Sequence, residues 1–287
     1  MSLFLPPLGT LKSAFDWACF GLDLGRRLRD AIRSGRAAFQ SDEFVRTYCQ
    51  HLERCIALTR QLGDATLSEA ARIQLDTIAT LVKAYDGEPD ARTNVNYMIP
   101  RAVKDVPCES IQFTGGRDLS SFSSVLQLVM WAESTKGLSE PRAFALPVEH
   151  GSGPYAADLL FGAPAAYVNN SLQIVSDTLR AYRTIKNNEH VRRAVQQYWE
   201  DNRSRVRSFV SLPLKCPPGY DRPDRLIAVV NVQSSERAML GYSKVTHARL
   251  QMALSPFLLV LSYFVAEMHL QEIFTKPHEI GPRAAGA

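Results

Sequence analysis

The sequence predicts an α+β fold, an antiparallel sheet flanked by helices and preceded by an α-helical region. Three observations predict it. Apolar residues recur at helical spacing as far as Tyr85, the period drops to two beyond Gly87, and a long apolar helix is expected over 244–273. With 287 residues, 46% of them hydrophobic and 22% charged, the chain has the makings of a packed core. These features divide it into a helical N-terminal region over 1–88, a sheet-containing domain over 89–274 and a tail over 275–287 that is expected to be disordered.

The helical reading starts with Leu11, Phe15, Ala18, Leu22, Leu28 and Ile32, a stripe weakened by Gly21, Gly25 and Gly35. A second stripe, Phe44, Tyr48, Leu52, Cys55, Ile56 and Leu62, follows Ser41 as a plausible N-cap and stops near Gly63. The third opens on Thr66 with Glu69 three residues on, a capping box, and carries Leu75, Ile78, Leu81 and Val82 to Gly87. After the linker at 87–92, alternation of two marks half-buried strands around Val95, Tyr97 and Ile99, around Ile111 and Phe113, and around Phe144, Leu146 and Val148. Residues 125–132 read as a strand or a short helix. Residues 162–170 read as a turn or short helix leading into a strand at 173–177, and 189–201 as an amphipathic helix. Residues 209–214 and 226–232 form the clearest pair, a hairpin whose second strand is so continuously apolar that it belongs at the centre of a sheet covered on both faces. In the closing helix, Pro256 removes one hydrogen bond and favours a kink.

At this point several short strings together resemble the GAF domain family. The match covers residues 85–268. It is carried best by Arg207-Ser208-Phe209-Val210-Ser211-Leu212-Pro213-Leu214, then a variable hairpin, then Ile227-Ala228-Val229-Val230-Asn231-Val232. Upstream, Ala145-Leu146-Pro147-Val148, the glycine turn at 162–166 and Ile174-Val175-Ser176-Asp177 are similar to the family's strand, small-residue turn and strand ending in Asp. Ala228 stands nearest the position where the family usually has Gly. The resemblance implies a small α+β sensor domain with a central antiparallel sheet. It leaves the ligand unspecified, because neither the residue set that accompanies cyclic-nucleotide binding nor the Cys-His pairing of bilin-attaching members is recognisable here.

Other motifs carry less. Gly151-Ser152-Gly153-Pro154-Tyr155-Ala156 fits a dinucleotide loop in spacing, but proline withholds the N–H a phosphate cradle needs, so a surface loop is the plainer reading. The six histidines have no metal spacing, and the five cysteines contain no C-x-x-C pair, which argues against a structural zinc site. Reduced thiols in a cytoplasm are the simplest expectation. The first residues, with Pro6 and Pro7 and no basic stretch, do not read as a signal peptide, and the apolar run over 253–266 is broken by Ser255, Pro256 and Ser262. No membrane span is expected.

The net charge of +4 is concentrated, with eight basic and three acidic residues over 180–207. That segment is a possible anion or nucleic-acid contact, but it lies partly on a helix whose polar face is interrupted by Glu200 and Asp201 and has no aromatic residues interleaved on it, so a solvated face is favoured over nucleic acid. A ligand pocket is expected over the sheet near the 150–180 connection, with Tyr155, Asp177, Arg207 and Asn231 as the candidate binding residues. No catalytic residue or metal ligand is assigned. The function expected is a non-enzymatic, cytoplasmic, GAF-like small-molecule sensor or regulatory module. It would form a homodimer through its flanking helices, because the last helix is too apolar to face water alone, and would pass its output to a separate protein. The alternative is a GAF-related redox enzyme using Cys108 or Cys216.

Overall fold

In a computed structural model, the described residues are 22–23, 25–26, 42–60, 67–86, 91–107, 110, 124–132, 145–148, 166–168, 197, 206–220, 225–236 and 244–269. They form helices α1 (Asp42–Arg60) and α2 (Leu67–Asp86), strands β1 (Thr93–Ala102), β2 (Ser124–Trp131), β3 (Ala145–Val148), β4 (Ala166–Val168), β5 (Ser208–Lys215) and β6 (Leu226–Ser234), and helix α3 (Lys244–Met268). The strands make one six-stranded sheet in the order β3-β2-β1-β6-β5-β4, and every neighbouring pair is antiparallel. The architecture is α+β. Strands expected around Ile111 and at 173–177, the helix at 189–201 except for residue 197, and the tail at 275–287 lie outside the described residues.

The helices appear where apolar spacing and caps place them. Of the second stripe, Phe44, Tyr48 and Cys55 are buried, and α2 buries Ala70, Ala71, Leu75, Ile78, Leu81 and Val82. Both α2 and α3 lie on one face of the sheet, α2 over β1 and β2 and α3 over β5 and β6, while α1 packs on these two helices from outside. A single apolar cluster joins α1, α2 and α3 to Val95, Tyr97 and Ile99 of β1, Val210, Leu212 and Leu214 of β5, and Val230 and Val232 of β6. Full burial of each such side chain stabilises by roughly 1.5–3 kcal/mol. The change of period at Gly87 is therefore not a gap in the core: residues on both sides of the 88/89 boundary share it.

Helix α3 is long and apolar enough over His247–Met268 to cross a membrane by length and composition, yet 78% of that stretch is buried inside the protein. Its length is used by the core. Pro256 interrupts its hydrogen bonding from within, and side chains of the two other helices donate to carbonyls nearby: Tyr48 Oη to Ala253 O at 3.2 Å and Gln74 Nε2 to Phe257 O at 3.0 Å. The Tyr48 ring meets Phe257 edge-on with centroids 5.2 Å apart.

The structure changes two of the sequence expectations. Residues 166–168, expected in a turn or short helix, form an edge strand, β4, paired with β5 through Ala166↔Ser211 and Val168↔Phe209. More consequentially, β1 is not half-buried. All eight residues from Thr93 to Pro100 are buried, so Asn94 and Asn96, which alternation placed toward solvent, face a second covered surface.

Candidate functional site

The face of the sheet turned away from the helices carries an ordered set of side chains, fixed by register. Asn96 of β1 lies opposite Trp131 of β2 on one side and Asn231 of β6 on the other, and Asn231 lies opposite Ser211 of β5. This makes one row across four strands. One step along, Leu128, Met98, Val229 and Pro213 occupy the corresponding positions, an apolar row. On the other side of the polar row Asn94 lies opposite Gln233.

The polar row is hydrogen-bonded as a chain. Ser211 Oγ donates to Asn231 Oδ1 at 2.7 Å, and Asn231 Nδ2 donates to Asn96 Oδ1 at 3.1 Å. Ser211, Asn96 and Asn231 are 0%, 3% and 6% exposed, so these bonds lie out of water. A buried amide is tolerated where its partners are present, and here each bond fixes the orientation of the next group. The chain starts at the Ser211 hydroxyl and ends on the carbonyl oxygen Oδ1 of Asn96. Beside it two buried polar atoms have no partner, Asn94 Oδ1 and the indole Nε1 of Trp131. Leaving such an atom unsatisfied costs about 1–3 kcal/mol each.

Of the four binding residues expected from sequence, only Asn231 is found at this site. Arg207 precedes β5 and is half-buried; its backbone N–H donates to Ser234 O at 2.8 Å, three residues along β6 from Asn231 and thus about 10 Å from it. The structure does not bring those two together. Tyr155 and Asp177 lie outside the described residues. The sequence does not single out Asn94 and Asn96, because alternation alone assigns polar residues of β1 to solvent, nor Ser211 and Trp131, which only strand register brings beside them. A signal was present in β6, where Asn231 is the one polar residue in a run from Leu226 to Val232 that is otherwise apolar.

Elsewhere the chemistry serves packing. Cys216 is 3% exposed within the apolar cluster, and Cys55 is equally buried, its thiol pushed up to about 12 by burial; Cys49 is exposed, and Cys108 lies outside the described residues. At the β5–β6 hairpin, where Gly219 adopts φ 97°, Tyr263 Oη donates to Pro218 O at 2.7 Å and Tyr220 Oη donates to the Glu267 carboxylate. Burial raises the Tyr220 phenol well above its ordinary range, with the Glu267 hydrogen bond and charge acting the same way. These contacts fasten the hairpin to α3. His51 of α1 pairs through Nδ1 with Thr77 Oγ1 of α2 at 3.2 Å, and His269 Nε2 lies 3.4 Å from Tyr97 Oη. Among the described residues, no three His, Cys, Asp or Glu side chains are grouped so as to hold a metal ion.

No protein-family model matches the chain, and no curated protein matches it. Functional assignment thus rests on the geometry of the sheet face and the motifs of the sequence.

Proposed function

We propose that the chain is a GAF-like, non-enzymatic, cytoplasmic small-molecule-sensing module whose ligand lies on the sheet face opposite the helices. The observation that carries the reading is the buried polar chain Ser211–Asn231–Asn96 across the middle of the sheet, with Asn94 Oδ1 and Trp131 Nε1 unpartnered beside it. A sheet that needed only stability would do as well with apolar side chains in this row. The hairpin β5–β6, which contains Asn231 and Ser211, is also the segment on which the GAF resemblance rests. Output passes to a separate partner protein.

Two copies associating through flanking helices is part of the proposal, but the apolarity of α3 no longer requires it. From Ala253 to Ala266 every residue of α3 except Ser255 is buried within one chain. The large apolar side chains of α1 and α3 that remain exposed among the described residues, and that a dimer would cover, are Val45, Val245 and Met252. The redox alternative gains no support from Cys216, which is sealed in the core.

Native mass spectrometry of freshly purified full-length chain tests the reading, since it reports stoichiometry and retained small molecules together. A defined added mass is expected, lost on denaturation and reduced at least tenfold in Asn231→Leu. A chain that emerges bare, and whose melting temperature no compound of a metabolite library shifts, overturns it.

A further inference from the structure

Two segments far apart in the chain leave the core together. Pairing of β5 with β6 becomes irregular between Leu214 and Lys215, and beyond it the hairpin turn is closed by Cys216 N–H donating to Arg225 O at 2.7 Å. Cys216 and Pro217 are still buried, Pro218 and Tyr220 are half-buried, and Gly219 is exposed. On α3 burial is continuous from Pro256 to Ala266 and stops there. Glu267, Met268 and His269 are half-buried, and His269 N–H donates to Val265 O at 3.1 Å.

Two phenols join these segments, and they do so reciprocally. Tyr263 Oη of α3 donates to Pro218 O of the turn at 2.7 Å, and Tyr220 Oη of the turn donates to the Glu267 carboxylate of α3. The paired residues are 45 and 47 positions apart in the chain, and the two rings pack with centroids 6.0 Å apart. A bond to a carboxylate is of the stronger kind. By contrast, His269 Nε2 at 3.4 Å from Tyr97 Oη is at the outer limit of hydrogen bonding and holds the end of α3 less firmly.

We propose that the hairpin turn from Cys216 to Tyr220 and the end of α3 from Glu267 to His269 form a clasp, a conformational device whose two halves open and close as one unit while the core beneath stays folded. Neither half keeps its bond to the other once one has moved. The boundary is set by cost. Opening the clasp breaks polar contacts at half-buried residues, whereas peeling α3 back one turn further strips Phe264 and Leu261 from the core, at roughly 1.5–3 kcal/mol for each. The clasp goes beyond the sensing reading and requires no ligand.

Amide hydrogen exchange of the full chain, resolved to single residues, tests the proposal. In the unaltered protein the Cys216 and His269 amides should share one opening equilibrium and respond in parallel to low concentrations of urea, while the Leu75 and Val230 amides exchange roughly a hundredfold more slowly. Tyr220→Phe keeps the ring against Tyr263 and should accelerate Cys216 and His269 alike, by about tenfold, with Leu75 and Val230 unchanged. Glu267→Gln retains an acceptor for Tyr220 and should accelerate them less than Glu267→Ala. Acceleration of one of the two amides without the other means two independent ends and overturns the clasp. Equal acceleration at Leu75 and Val230 assigns the bond to global stability and overturns it as well, as does no change anywhere. Should Tyr220→Phe not fold, the urea series on the unaltered chain decides, and unlike urea responses of Cys216 and His269 overturn the proposal.

Discussion

Along β1, Val95, Tyr97 and Ile99 turn into the helices while Asn94, Asn96 and Met98 turn the other way, and both sets are buried. The same contrast runs through β6, where Val230 and Val232 enter the helix-side cluster and Asn231 sits in the polar row. On the helix side, polar groups are subordinate to packing: Tyr48 and Gln74 spend their donors on the backbone of α3 around Pro256. On the opposite side, polar groups bond to one another, and the row leaves a donor and an acceptor unmatched. The helix side also keeps one buried acceptor unmatched, Gln74 Oε1, so the faces differ in what their polar groups bond to: the backbone of α3 on one, and one another across the strands on the other.

The largest effect should come from the helix side. Phe257 is fully buried against Tyr48, and Phe257→Ala should lower the unfolding free energy by about 3–5 kcal/mol in urea titration. A loss below 1 kcal/mol would mean that the two faces do not divide the work as described.

The next effect separates structure from function on the opposite face. Asn231→Ala strands the Ser211 hydroxyl and the Asn96 carbonyl out of water and should cost about 1–3 kcal/mol. The combined variant Asn96→Leu, Ser211→Ala, Asn231→Leu removes every partner at once and should recover most of that loss, while the added mass in native spectra disappears. A combined variant that stays as unstable as the single one would assign the row to stability instead.

This contrast also shows what was legible in the sequence. The helices α1 and α2, the β5–β6 hairpin and α3 were readable because helical spacing, a capping box and near-continuous apolar runs report directly on one buried face. Asn231 was readable for a related reason, as a polar residue inside an apolar run. Asn94 and Asn96 were not, since period two looks the same whether the polar side meets water or a second buried surface. Nor could the row be seen: Asn96, Asn231 and Ser211 come from strands far apart in the chain, and only register brings them into line. The edge strand β4 is three residues long, too short for its own periodicity to show.

A smaller effect is expected for the donors that serve α3. Tyr48 is buried, and burial, reinforced by the neighbouring Cys49 and Cys55, holds its phenol well above the ordinary range, so it donates as a neutral hydroxyl across the working pH. Tyr48→Phe keeps the ring against Phe257 and removes the bond to Ala253 O, for a loss of about 0.5–1.5 kcal/mol by urea titration. A loss as large as that of Phe257→Ala would show that the polar groups of the helix side carry as much of the fold as its packing.

The smallest effect concerns pH, and it too belongs to the helix side. His51 sits at the α1–α2 contact with Nδ1 near Thr77 Oγ1, and its pKa is lowered from the ordinary 6.5, first by burial and then by the Arg54 charge. Folding therefore favours the neutral ring. Above 6.5 the ring is neutral in both folded and unfolded chains, and the contact contributes fully; as pH falls below 6.5 the unfolded chain takes up the proton first, so stability declines until the folded ring is protonated as well. Urea midpoints between pH 8 and pH 5 should fall toward acid in the unaltered chain and fall less in His51→Gln, which keeps a hydrogen-bonding group near Thr77 without a titrating ring. Equal acid slopes in the two proteins would assign the decline to other groups and leave the α1–α2 contact indifferent to pH.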